Sequence, residues 1–386
     1  MNLQERALES RTGSGRVFVL DALRGIAAFT VLIHHFHYAF RGPLTSHWYL
    51  RPLISGHESV MLFFALSGYV LSVPVWRGKQ LPYGLYVVRR LCRIYLPFAA
   101  AVLLSAAVGE HFLFARLPLL HEWFYLTWQQ SITWRVIASG LLMSTKPILN
   151  TAFWSLHFEM EISLIFPFLC LMIGRLRNGG AILMVLLLSV AAFFAGRNMM
   201  NKDPLLISDS LRYCVFFLMG ALMAKNQRWL IEVWQRFGLM GKLFTTALSL
   251  GLYFHFFGLV RGQLAVRLGI SDSSFLYRAD FVVALGAAGI IFIATSSGRV
   301  QRFLDKPLFE YLGRVSYSMY LIHAVILFAS IDLLYGKIPI LAIGAIYLVV
   351  TMALSHLFLI GIEEPSLRLG KRLTSKRRAE LAVTGG

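Results

Sequence analysis

Apolar stretches of about 20 residues recur along this chain from residue 17 to residue 361, and that is the length a helix needs to cross a bilayer. A soluble core helix as long would alternate polar and apolar faces. Of the 386 residues 57% are apolar and 15% charged, against roughly a quarter charged in soluble domains. Lipid is the expected solvent. The expected fold is an all-α, polytopic transmembrane helical bundle of about ten spans, near 17–40, 57–76, 94–109, 152–173, 181–196, 209–224, 242–257, 276–295, 309–329 and 340–361.

An even number of spans puts both termini on one side of the membrane. The larger share of the 37 Lys and Arg residues falls on segments of that side, so the positive-inside rule makes both termini cytoplasmic. The strongest basic clusters are Arg77 to Arg93 and the tail Arg368, Lys371, Arg372, Lys376, Arg377 and Arg378. Such clusters favour anionic headgroups, and a solvated, lipid-facing surface is the plain account of the tail. The net charge of +18 is therefore a matter of topology and lipid, not of nucleic acid. Residues 1–16 read as a cytoplasmic segment, 17–362 as one membrane domain and 363–386 as a basic cytoplasmic tail. The apolar run after Arg16 is too long for a signal h-region and lacks a small-residue cleavage site, so the first span is expected to stay in the mature protein.

Segment 110–151 fits this pattern least. Leu117 to Trp134 is apolar but broken by His121, Glu122, Gln129 and Gln130, and Trp123, Tyr125, Trp128 and Trp134 suit an interfacial or re-entrant segment. Cys92, Cys170 and Cys214 are isolated, without metal-ligand spacing, and read as core thiols.

The first span, LDALRGIAAFTVLIHHFHYAF, carries Arg24 and three histidines where ionisable side chains are rare and usually functional. At about 100° per residue His35 lies within about 20° of Arg24 on the helix, separated by about 16 Å of rise. His34 is about 80° away and His37 nearly opposite. Arg24 and His35 thus share a face expected to look into the bundle. Taken alone, Arg24 could snorkel, and His34 and His37 could mark the interface or form an i, i+3 metal pair, though no carboxylate or thiolate set completes a metal site.

The Arg-x10-His pair resembles the signature of the acyltransferase-3 family of integral membrane acyltransferases. In the same order follow FFALSGY (63–69), RRLCRIYLP (89–97), WSLHFEMEISLIFP (154–167), GRVSYSMYLIH (313–323) and EEPSLRL (363–369). Each segment is weak alone, and their order across residues 17–372 is specific. The resemblance implies a cytoplasmic acyl-CoA donor such as acetyl-CoA, an acceptor often on the outer side, and transfer at the histidine of the first span. His35 is then the general base, since neutral imidazole suits proton removal near neutral pH. Arg24 would orient the donor or stabilise charge on the thioester oxygen.

Arg90-x-x-Arg93, with Arg89 beside it, resembles the family's basic motif and would hold the CoA nucleotide, because guanidinium forks suit phosphates; a basic inner edge is also ordinary topology. The i, i+3 and i, i+4 spacings place Arg93 on one surface with Arg89 and Arg90. Ser67 and Gly68 either line the CoA channel or pack helices. On the fourth span Glu159 lies one turn below Ser155 on the same face and at a depth close to that of His35, so it is expected to orient His35, bind the sugar or pair with an Arg or His. The family often has two consecutive acids there; this chain has Met160 and then Glu161. Trp154, Ser155, Tyr317, Tyr320 and His323 are substrate-binding or structural candidates, the last three at three-residue steps on neighbouring positions.

The expected function is transfer of an acetyl or short acyl group from acyl-CoA to a carbohydrate hydroxyl, on a surface polysaccharide, a lipid-linked glycan or a glycosylated small molecule, in the bacterial inner membrane. No metal is expected. A serine acyl-enzyme through Ser155 or Ser67 lacks a nucleophile-elbow pattern. The rivals are a transporter or flippase whose Arg24, Glu159 and histidines line a path, and a scaffold whose polar groups only specify packing.

Overall fold

The computed structural model describes residues 18–40, 48–112, 117, 120–199, 207–254 and 272–384. Among these there is no strand, and nine helices are long and apolar enough to cross a membrane. The chain is a multi-pass helical bundle.

The helices are α1 (Phe18–Ala39), α2 (Gly56–Trp76), α3 (Tyr83–Gly109), α4 (Trp134–Leu141), α5 (Trp154–Arg175), α6 (Asn178–Met199) and α7 (Ile207–Lys225). They continue as α8 (Gln227–Arg236), α9 (Leu239–Tyr253), α10 (Asp272–Ser296), α11 (Gly298–Leu304), α12 (Pro307–Leu334), α13 (Ile340–Phe358) and α14 (Glu364–Thr384). The expected seventh span, 242–257, corresponds to α9, which has 15 described residues; 255–257 lie outside the described residues. Segment 110–151 holds only a five-residue 3-10 turn, Glu122–Leu126, and the eight-residue α4 among its described residues. Neither has the length to cross.

Small residues set the helix contacts. A Cβ at Gly68 would strike the Phe217 backbone and one at Gly220 the backbone of Ala65 and Tyr69, so α2 and α7 approach to backbone distance, the usual device where lipid offers no hydrophobic drive. Gly25 and Gly313 do the same for α1 and α12, where Gly25 meets Leu312 and Gly313 meets Asp21. Because residue 25 lies against 312–313 and residue 35 against 323, α1 and α12 run parallel. Exposed Ile165, Phe168 and Met172 on α5, and Leu183, Leu186, Leu187 and Val190 on α6, form the apolar belt that lipid would cover.

Polar ties also cross the bundle. From the third turn of α10, Asp280 accepts from His57 in the first turn of α2 at 2.6 Å and pairs with Arg212 in the second turn of α7 at 3.0 Å. These three helices therefore begin on one side, the side where α1 ends. On the other side Lys225 caps α5 by donating to the carbonyls of Ile173 and Leu176.

Two helices carry π turns, at Leu91–Tyr95 within α3 and at Leu359–Glu363 between α13 and α14. Such turns concentrate at functional sites. Helix α14 passes both α3 and the first π turn, where Gly370 leaves room for Cys92. The third span thus starts eleven residues earlier than the expected 94, at Tyr83, and its arginines lie inside the helix.

Candidate active site

Helix α1 presents two polar centres. Toward its start, Arg24 pairs with Asp21 at 3.6 Å, and the other charges acting on it are Arg93, Glu159 and Arg90. Four sequence-predicted residues from α1, α3 and α5 therefore lie within electrostatic reach of one another. Arg90 is buried and donates to Glu159 Oε1 at 3.1 Å, while its Nε is a buried donor with no protein partner. Arg93 projects from the π turn and is solvent-accessible. The charges acting on it include Arg90, Glu363, Asp21 and Glu159.

The three arginines do not share one surface. Arg89 donates to Thr374 on α14 at 2.8 Å, away from Arg90, because successive helical residues point about 100° apart. Arg93 lies within the π turn and, with Arg90, acts on Arg24. Ser67 is buried in α2, next to the glycine contact with α7.

Toward the end of α1, His35 Nδ1 lies 2.8 Å from His323 Nε2. The two rings are 21° from coplanar with centroids 5.0 Å apart, and Trp123 stacks parallel on His35 at 5.0 Å. His323 is buried, with Nδ1 2.8 Å from the Tyr320 carbonyl and 3.2 Å from that of Met319. One turn away, the Tyr320 hydroxyl bonds Ser155 at 2.6 Å and lies 3.2 Å from the Ala152 carbonyl. Asn150 fixes this loop by donating to Leu321 O and accepting from Ala152 N.

Glu159 bonds Arg90, not His35, so of the expected alternatives the structure has the pairing with an Arg. Tyr317 donates to the Ile94 carbonyl at 2.7 Å, an acceptor within the first π turn. Ser318 donates to Glu363 at 2.5 Å in the second. Trp154 packs on Phe158 and Tyr213, away from His35. Glu161 is exposed and accepts from Ser210 at 2.8 Å.

Residue-level reading missed Trp123 as a site residue, because its aromatic-rich segment looked interfacial. It also missed the Ser318–Glu363 bond. Ser155 is bonded as a partner of Tyr320, with no imidazole against it. Among the described residues no group of three or more His, Cys, Asp or Glu could hold a metal.

Arg24, with Arg90, Arg93 and Glu159 acting on it, lies toward one end of α1, and the His35–His323 pair lies toward the other. Residues 18–360 match the Acyl_transf_3 family model, described as an acyltransferase domain, and the chain belongs to this family of membrane acyltransferases. In the same comparisons no curated protein and no solved structure matches.

Proposed function

We propose that this protein moves an acetyl or other short acyl group from acyl-CoA to a hydroxyl of a carbohydrate, in the inner membrane of a bacterium. The observation that carries the reading is the division of α1, with Arg24 among Arg90, Arg93 and Glu159 at one end and the paired His35 at the other. Eleven residues of helix separate them, about 16 Å, a span suited to an elongated donor.

The side where α1 begins is the cytoplasm in this reading, since Arg77, Arg175, Arg177, Lys225, Arg302 and Arg368 gather there. Acyl-CoA enters from it. The accessible Arg93 and the unpartnered Nε of Arg90 engage its phosphates. Arg24 stands nearer the thioester, where a cation favours charge building on the carbonyl oxygen.

The acceptor approaches His35 from the opposite side. Its hydroxyl proton passes to the imidazole as its oxygen bonds the thioester carbon. The carbon–sulfur bond breaks, and the departing thiolate takes the proton from His35 to give CoA thiol and the acyl ester. Surface polysaccharide, lipid-linked glycan and glycosylated small molecules all offer such a hydroxyl.

The test pairs CoA thiol release by the purified protein with analysis of surface-glycan acylation in deletion and complemented strains. Acyl groups lost on deletion and restored on complementation, with thiol release in vitro, support the reading. Translocation of an unacylated glycan without acyl-CoA binding would replace it with a transporter.

A further inference from the structure

We infer that His323 is a positioning residue that fixes the tautomer of His35, and so leaves Nε2 of His35 as the atom that takes the acceptor's proton. The proton-taking half rests on the acyl-transfer reading above; the pairing itself does not.

The argument starts from two backbone oxygens of α12. His323 Nδ1 lies within hydrogen-bond distance of the carbonyls of Tyr320 and Met319. A carbonyl oxygen only accepts, so Nδ1 must carry the hydrogen. In a neutral imidazole the other nitrogen is then bare, which makes His323 Nε2 an acceptor. Its partner at 2.8 Å is Nδ1 of His35, which must donate. The hydrogen of neutral His35 is thereby committed to Nδ1, and its lone pair is at Nε2. The near-coplanar rings, 5.0 Å apart, fit two imidazoles joined edge to edge. Trp123, parallel to His35 within 6°, holds the ring against rotation.

The pair orients but does not relay. When Nε2 takes the acceptor's proton, His35 becomes imidazolium and its Nδ1–H still points at the bare Nε2 of His323. His323 cannot pass a proton on, because its own hydrogen faces carbonyls. The proton therefore leaves from the nitrogen it arrived on, onto the thiolate of CoA. Glu159 belongs to Arg90, and among the described residues no carboxylate bonds either imidazole. A neutral partner lets His35 give the proton back more readily than a carboxylate would, since an adjacent negative charge holds the charged imidazole.

The experiment uses the full-length protein, labelled with nitrogen-15 histidine and held in detergent or lipid discs, with His35→Ala and His323→Gln spectra for assignment. Nδ1-protonated, Nε2-bare His35 in the wild type is expected. His35 protonated at Nε2 in an active enzyme overturns the pairing. In turnover, His323→Leu removes the acceptor, whereas His323→Gln offers a side-chain carbonyl near the position of Nε2. His323→Leu should lower kcat by about 10² to 10³-fold with KM for acetyl-CoA unchanged, and His323→Gln should recover at least about tenfold of it. Full turnover in His323→Leu, or no recovery in a folded His323→Gln that still binds acetyl-CoA, overturns the positioning role. If His323→Leu does not fold, the wild-type tautomer and the Gln variant decide. The expected tautomer without acyl transfer from any acyl-CoA tested overturns the functional reading, and with it the role of Nε2, but leaves the pairing.

Discussion

Buried Arg90 and part-buried Glu159 form an ion pair at 3.1 Å that ties α3 to α5. Breaking one side of such a pair leaves an uncompensated charge, a loss of about 3–5 kcal/mol in buried sites. Arg90→Gln should therefore lower the unfolding temperature in detergent. Arg90→Gln with Glu159→Gln should recover part of that loss. A double variant no more stable than the single one would show that the pair does not carry the contact.

For donor affinity, Arg93 is the cleaner probe, because it is accessible and no protein hydrogen bond is lost with it. Arg93→Gln should weaken CoA binding by about 1.5–3 kcal/mol, roughly ten- to a hundredfold, the usual contribution of a charge-assisted contact. A binding isotherm for free CoA measures it. Unchanged affinity would remove Arg93 from the phosphate site.

Arg24→Gln should lower turnover more than CoA affinity, since a group near the thioester acts where charge develops in the transition state. Single-turnover rates beside the same isotherms separate the two. An affinity loss as large as the rate loss would assign Arg24 to ground-state binding.

His35→Ala should abolish transfer, a loss of about 10²–10⁴-fold or more for a general base, while inserting and purifying normally. His34→Ala should be milder, because His34 donates to the Ile54 carbonyl and packs against Gly56, outside the His323 pair. The reverse pattern in acetyl-CoA turnover would move the reaction to His34.

The bundle was legible in the chain because span length and hydropathy depend on local sequence alone. That Arg24 and His35 stand on one continuous helix was legible for the same reason. The partner of Glu159 was not, because depth along α5 says nothing of which helix lies beside it. Nor was the separation of Arg89 from Arg90 and Arg93, which depends on α14, 285 residues from Arg89 to Thr374. His323 was visible as a candidate, but its pairing with His35 is a contact across 288 residues.

The fifth prediction concerns packing. Gly220→Val should destabilise the protein, since even a Cβ there meets the backbone of α2 and overpacking costs about 1–3 kcal/mol. Gly298→Ala, where a Cβ meets nothing within 4 Å, should be neutral. Thermal unfolding of both in one detergent makes the comparison, and equal effects would rule out close approach of α2 and α7 as the cause.

A π turn takes up one residue more than an α-turn by widening, so the helix on either side of Leu91–Tyr95 keeps its phase. The turn is therefore a place where α3 can gain or lose a residue with Arg90 still facing Glu159 and the rest of the helix still beside α12.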